Sequence, residues 1–203
     1  MKKQNNQIIQ FYKSYISQYT SAFSTKQLQK ILNIQKIIEK KIKEKKFIFV
    51  CGNGGSASIA NHFLCDFNKG VKETSKYKIL PKVISLSNSV EAITAIANDK
   101  NFDKIFEDQI TNFSSPGDCL IVMSCSGKSK NILKLLKHAK NKNLYTISLT
   151  SFSNNLAIKK LSNINFNADV KNYGIGEDIF QSVMHMISQS LRKNYIKNKN
   201  IIL

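Results

Sequence analysis

The sequence predicts an α/β protein: a doubly wound, mostly parallel five-stranded sheet with helices on both faces and a helical pair leading into it. Three observations predict it. From Lys46 onward, short apolar runs alternate with segments whose apolar residues recur every three or four positions, the pattern of strands joined by helical crossovers. Two strand-to-helix junctions carry turns rich in glycine and serine, Gly52-Asn53-Gly54-Gly55-Ser56 and Ser124-Cys125-Ser126-Gly127-Lys128-Ser129. A length of 203 residues with 42% hydrophobic content is enough for one such domain with a sizeable core and too little for a second, so one domain over residues 1–203 is expected.

Each element has its own signal along the chain. Ile8 to Phe23 and Lys26 to Lys45 have helical periodicity, with Ser24-Thr25 between them as a break and cap. The first displays Ile8, Ile9, Phe11, Tyr12, Tyr15 and Ile16, more apolar surface than one flank needs. Residues 1–45 are therefore expected to serve oligomer contacts, a local helical hairpin being the simpler alternative. Strands are expected at Lys46 to Cys51, Lys82 to Leu86, Cys119 to Ser124, Tyr145 to Leu149 and near Asn163 to Phe166. Helices are expected at Ser56 to Lys69, Val90 to Asn98, Asp103 to Phe113, Asn131 to Asn141 and Asn154 to Lys160, with a long one from Glu177.

Composition narrows the function classes. The formal charge of +18 arises from 31 basic against 13 acidic residues, yet Arg192 is the sole arginine. Groove readers favour the planar guanidinium fork and interleave aromatics with it, so nucleic acid is not the expected partner. Most lysines fall opposite the apolar positions of helices, as solvated faces, and their field draws anions toward a cleft. Cys51, Cys65, Cys119 and Cys125 form no C-x-x-C pair and read as reduced, mostly buried thiols. No run approaches the ~20 apolar residues of a membrane span, and Met1 to Asn6 lead into no signal-like core. The expectation is a cytoplasmic protein without a membrane partner.

Gly52, Gly54 and Gly55 are three of only eight glycines, and their clustering calls for a conformational reason. A strand entering a glycine turn and a helix opening on Ser56 present unpaired amides and the positive end of a helix dipole to an anion. The same residues also serve a plain strand-to-helix turn. The G-x-G-x-x-G spacing fails at Ala57, which excludes the dinucleotide fingerprint. The second turn offers Ser124, Ser126 and Ser129 beside Lys128, or a serine helix cap without ligand; Val122 stands where a P-loop needs glycine. Parallel sheets bind ligands beyond the carboxyl ends of their strands, so two such loops converge on one phosphate, and a phosphorylated small molecule is the expected tenant.

His62 and Asp66 lie four apart on the helix that leaves the glycine turn, and Glu177, Gln181 and His185 form a similar stripe on the last helix. An imidazole with a carboxylate on each of two helices supplies nitrogen and oxygen donors suited to zinc among other metals, if the helices meet. Solvated acids and a self-satisfied histidine are the plainer alternative. His138, on a lysine-rich helix, reads as surface, and Cys125 lacks an adjacent base for nucleophilic work.

Taken in order, Gly52-Asn53-Gly54-Gly55-Ser56-Ala57, His62-Phe63, Ala92-Ile93-Thr94-Ala95-Ile96-Ala97-Asn98-Asp99, the Ser124 to Ser129 turn, Glu177-Asp178 and His185 resemble the sugar isomerase domain family, and within it the phosphoheptose isomerases. The resemblance implies a homotetramer that converts sedoheptulose 7-phosphate to D-glycero-D-manno-heptose 7-phosphate for bacterial surface polysaccharide, lipopolysaccharide or capsule. It implies that Gly54, Ser56, Ser124, Ser126 and Ser129 hold the phosphate end, that Asn53 and Asp99 contact the sugar, and that His62, Asp66, Glu177 and His185 take the zinc and acid–base positions. Asp66, Glu177 and His185 are then the catalytic candidates for moving a proton between C1 and C2 through an enediol.

The chain departs from that pattern in two carboxylates. Asp66 stands where the family usually has glutamate, and Glu177 where it usually has glutamine; an arginine after the first and an aspartate before the second are missing. Because a misplacement of ~1 Å costs on the order of 100-fold in rate, Glu177 is expected to take over part of the base or metal role, with His185 as its partner. The rival readings are an isomerase of another phosphosugar and a non-catalytic phosphosugar sensor or replication-initiator adaptor of the same fold, adaptors of that kind lacking the histidine that His185 supplies.

Overall fold

In the computed structural model, which describes residues 2–152 and 155–196, two helices, α1 (Lys2–Ser21) and α2 (Thr25–Lys43), lead into β1 (Phe47–Gly52). Next come α3 (Gly55–Cys65), a π-helical stretch over Asp66–Val71, the short α4 (Lys72–Thr74), β2 (Lys82–Ser85), α5 (Val90–Asp99), a 3-10 turn at Phe102–Lys104 and α6 (Glu107–Thr111). The chain continues through β3 (Cys119–Met123), α7 (Lys130–Asn141), β4 (Tyr145–Thr150), α8 (Leu156–Leu161), β5 (Ile164–Asn167) and α9 (Tyr173–Lys193). The expected start of α8 at Asn154 lies outside the described residues.

All five strands are parallel, in the order β2-β1-β3-β4-β5. Every residue of β3 is buried, as a parallel strand covered on both faces must be. Alternation along β1 sends Ile48 and Val50 into one core, with Ile34, Ile38, Phe63, Phe67, Ile179 and Val183 from α2, α3, the π-helical stretch and α9. Phe49 and Cys51 point to the other, with Ile105, Phe106, Ile132, Leu135 and Ile158. Each fully buried side chain of this size contributes about 1.5–3 kcal/mol, so the sheet is held from both sides.

The differences from expectation have local causes. The helix expected over Asp103 to Phe113 is broken into a 3-10 turn at Phe102–Lys104 and the short α6 at Glu107–Thr111, with Ile105 and Phe106 buried between them. The helix from the glycine turn widens after Cys65, where the Lys72 amide donates to Phe67 O. The wide turn offsets the drift of a 3.6-residue repeat and keeps Phe63, Phe67 and Val71, four apart, in one buried row. The last helix starts four residues before Glu177, because Asn172 caps it by accepting from Ile175 N at 3.0 Å. Ser24 does occupy the α2 N-cap but its side chain makes no cap bond.

A side-chain carbon on Gly52 would meet Ser56 Cβ at 2.6 Å and Ser56 O at 2.7 Å, so β1 and α3 approach through a site only glycine fits. Gly52→Ala is expected to lower stability by about 1–3 kcal/mol. Gly70→Ala, whose added carbon makes only ordinary contact with Arg192 at 3.9 Å, should leave stability unchanged or raise it slightly. Urea unfolding of the two variants checks the contrast.

Candidate active site

β1 lies between β2 and β3, and the connections leaving it and returning run to opposite sides, so a crevice opens at the carboxyl ends of β1 and β3. The glycine turn forms one wall and the Ser124 to Ser129 loop the other. Between them lies a cavity of about 340 Å3, which Asn53, Gly54, Ser56, Ser124, Ser126, Ser129 and Glu177 line together with Gly55, Cys125 and Tyr173. Six of the seven expected substrate-binding residues thus meet in one place. Asp99 does not: it is exposed at the end of α5, accepts a 2.9 Å bond from Asn98 Nδ2 and lies off the cavity wall.

Gly54 adopts φ +56° with open space beside it, so conformation alone requires glycine there. It delivers the chain into α3 with Ser56 buried in the first turn. Ser129 occupies the N-cap of α7 without using its side chain as a cap, so two helix N-termini open toward the cavity. The two loops are tied by a reciprocal amide pair, Asn53 Nδ2 donating to Asn131 Oδ1 at 3.0 Å and Asn131 Nδ2 to Asn53 Oδ1 at 2.9 Å. Asn131 went unread in the sequence; a buried asparagine on the second residue of a helix was its only signal.

α3 and α9 run parallel in register. Gly55 lies against Glu177, His62 against His185 and Asp66 against Ser188. About two and three turns beyond the cavity this pairing gathers His62, Asp66 and His185, whose ligand atoms all fall within 4.8 Å of one another. His62 Nε2 and His185 Nε2 are 3.3 Å apart, His62 Nε2 and Asp66 Oδ1 3.4 Å, and His185 Nε2 and Asp66 Oδ2 3.8 Å. Tetrahedral zinc with bonds of about 2.0–2.1 Å sets its donors about 3.4 Å apart, so this donor set fits a zinc ion. Ser188 Oγ donates to Asp66 Oδ2 at 3.1 Å and the Gln181 amide approaches His185 Nε2 at 2.7 Å. The serine bond orients the Asp66 carboxylate as a supporting shell does, whereas the Gln181 amide occupies the His185 nitrogen that faces the cluster and has to release it for a metal to bind. Gln181 lay in the stripe read from the sequence without a role, and Ser188 carried no signal.

Glu177 stands apart from this group, which corrects the expectation of a four-residue ligand set with Glu177 partnering His185. A side-chain carbon on Gly55 would lie 2.2 Å from Glu177 Oε2, and Ser56 Oγ donates to Glu177 Oε1 at 3.3 Å. The carboxylate therefore sits on the amino end of α3, where the helix dipole favours negative charge. Two helical turns, about 12 Å of rise, separate residues 177 and 185. The same carboxylate, after burial, helps push the Cys125 thiol up to about 12.

The fold and cleft define a parallel α/β protein with a crevice lined by serines and two helix N-termini at its strand switch point. The SIS domain family model matches residues 11–151, and the chain belongs to that family. The "Probable phosphoheptose isomerase" of Thermoplasma acidophilum is 30% identical over 183 residues, covering 90% of this chain and 98% of that protein. The phosphoheptose isomerase of Helicobacter pylori is 43% identical over 105 residues, about half of each chain (50% and 52%). The structure of the phosphoheptose isomerase from Neisseria gonorrhoeae superposes with a TM-score of 0.83 over 94% of this chain and 99% of that one; at 21% identity this likeness speaks to the fold.

Burial raises the Cys119 thiol to about 12, as it does Cys125, and Cys51 rises further still; Cys65 alone of the four is exposed. At pH 8 a thiol of pKa about 12 is ionised to roughly one part in ten thousand. With a disulfide reagent at that pH, Cys65 should react quickly and the other three only on unfolding.

Proposed function

We propose that the chain is a phosphosugar aldose–ketose isomerase of the phosphoheptose isomerase kind, interconverting sedoheptulose 7-phosphate and D-glycero-D-manno-heptose 7-phosphate. The observation that carries this reading is that a serine-lined cavity and the His62–Asp66–His185 cluster are built on the same pair of helices, α3 and α9. Residues 56 and 62 differ by about 9 Å of helical rise and residues 177 and 185 by about 12 Å. An extended heptose phosphate bridges that distance with its phosphate in the cradle and its C1–C2 end at the cluster; a triose phosphate does not. The relatives named phosphoheptose isomerase support the same substrate class.

In this reading the hydroxyls of Ser56, Ser124, Ser126 and Ser129, with the amides opening α3 and α7, hold the phosphate, and the tied Asn53–Asn131 pair keeps the two loops at a fixed spacing. His62, Asp66 and His185 would hold zinc. Bound there, zinc supplies positive charge that polarises the sugar carbonyl and offsets the negative charge developing on its oxygen. Asp66, oriented by Ser188, is the base that takes the proton from one carbon and returns it to its neighbour through a carboxylate oxygen left free of the metal, and His185 would move the proton between the two oxygens through its other ring nitrogen. Glu177 is reassigned: its carboxylate occupies the amino end of α3 and must give way when a phosphate dianion enters. Two like charges about 4 Å apart at an effective dielectric of about 20 repel by about 4 kcal/mol.

The homotetramer, heptose supply for surface polysaccharide and a cytoplasmic setting belong to the same proposal. Ile8, Ile9, Phe11, Tyr12 and Ile16 of α1 are 42–61% exposed, which supports oligomer contacts along residues 1–45. Among the described residues no helix is long and apolar enough to cross a membrane.

An NMR time course of the zinc-supplemented protein with sedoheptulose 7-phosphate should show the aldoheptose phosphate, and His185→Ala should abolish it. Asp66→Asn is expected to lower kcat by on the order of 100-fold or more, whereas Glu177→Gln should keep turnover and lower KM. Equal losses in both carboxylate variants would contradict the assignment of the base. No turnover in a folded, zinc-binding protein would move the reading to another ketose phosphate, and no turnover with no zinc binding to the adaptor.

A further inference from the structure

A second cavity, of about 350 Å3, lies at the opposite end of the sheet, where strands begin. Gly117 ahead of β3, Tyr145 at the start of β4 and Asn163 ahead of β5 contribute from the sheet, and Lys41, Lys140 and Lys160 from the last turns of α2, α7 and α8. No aspartate or glutamate is among its lining residues. Lysines at helix carboxyl ends ordinarily need no ligand, because they answer the dipole and the last carbonyls. Here that explanation is largely used up. The closing carbonyls of α2 and α7 already accept backbone amides, Lys40 O, Lys41 O and Ile42 O from Glu44, Lys46 and Lys45, and His138 O, Ala139 O and Lys140 O from Lys142, Leu144 and Asn143.

Of the three cavity lysines, only Lys41 has a carboxylate beside it among the described residues. Lys41, buried, has Glu44 at 3.3 Å and the Tyr145 ring centroid at 5.9 Å. Lys140 Nζ donates to Lys160 O at 3.2 Å and Lys46 Nζ, beside Gly117, to Pro116 O at 2.8 Å, neither of which supplies an anion. The Lys160 ammonium has no partner among the described residues. The nearby Asp118 carboxylate is committed to the amides of Phe47 and Ser115 at 3.0 and 2.8 Å. The half-buried Tyr145 hydroxyl likewise has no hydrogen-bond partner among the described residues, so a donor joins cations around a space of ligand size.

We propose that this cavity is a second anion site, which takes a phosphorylated small molecule with its phosphate among Lys41, Lys140 and Lys160 and its body against Tyr145. It shares no residue with the cleft between β1 and β3, and its binding is independent of the activity assigned there. Lysine ammoniums bind phosphate as point charges and need no guanidinium fork, which suits a chain with a single arginine.

Inorganic pyrophosphate is the probe, titrated by calorimetry and followed by amide chemical shifts in the full chain. The expected result is binding tighter than about 1 mM that moves the Asn143, Tyr145 and Asn163 amides. It should persist in Ser126→Ala/Ser129→Ala and weaken at least tenfold in Lys140→Gln/Lys160→Gln, whose exposed side chains can change without disturbing the core. Shifts confined to the cleft, binding unaffected by the lysine variant, or affinity weaker than about 1 mM would each overturn the proposal.

Discussion

The close approach of Gly52 to the first turn of α3 is the constraint on which the rest depends. With no side chain there, the strand ends directly against Ser56, and the helix leaves the sheet at the switch point with its amino end facing the cleft. Helical geometry then places Ser56 in the cavity, His62 and Asp66 successive turns along, and Phe63 and Phe67 in the core. α9 copies the register from the other side, set by the Asn172 cap and by Gly55 and Gly176, where a side chain would strike Glu177 or Ser151. One residue's shift of α9 against α3 would part His185 from His62 and Glu177 from the amino end of α3 together.

Negative charge is placed just as sparingly. The chain is strongly basic, but its few carboxylates stand where they matter: Asp66 between two imidazoles, Glu177 on a helix dipole, Asp178 receiving the Tyr15 hydroxyl at 2.5 Å. That last bond, with Tyr19 sharing one with Ser182 at 2.7 Å, keeps α1 in parallel register with α9. The outer helix is thus coupled to the inner one that carries His185, so a partner covering the apolar side of α1 would steady the cluster at a distance. Glu177 places a carboxylate inside the serine-lined crevice itself.

Much of the fold was legible because parallel strands are apolar on both faces and their crossover helices are amphipathic, two periods that do not mimic each other. Strands β1 to β5 fall within one or two residues of where the apolar runs put them. What stayed hidden was local. Gly174 and Gly176 masked the first turn of α9, since glycine lowers helix propensity whatever its packing reason. The widened turn at Asp66 comes from the alignment of Phe63, Phe67 and Val71, a tertiary demand. At the site, serines and glycines around the cleft announced themselves by clustering, and Gln181 by its spacing from Glu177 and His185, whereas Asn131 and Ser188 act through long-range contacts that no linear spacing records. Glu177 shows the limit most plainly: its separation from His185 by two turns was readable, but the pull of the α3 amino end on its carboxylate was not.

The central claim is that the crevice holds the sugar's phosphate while the His62–Asp66–His185 cluster enolises its C1–C2 end, with Asp66 as the exchanging base. Incubation with sedoheptulose 7-phosphate in deuterium oxide, read by NMR at C1 and C2, tests it most directly. The account predicts deuterium at C2 of the aldose and wash-in at C1 of recovered ketose, both lost in Asp66→Asn. Turnover with no solvent deuterium in either sugar, or exchange undiminished in Asp66→Asn, would contradict it.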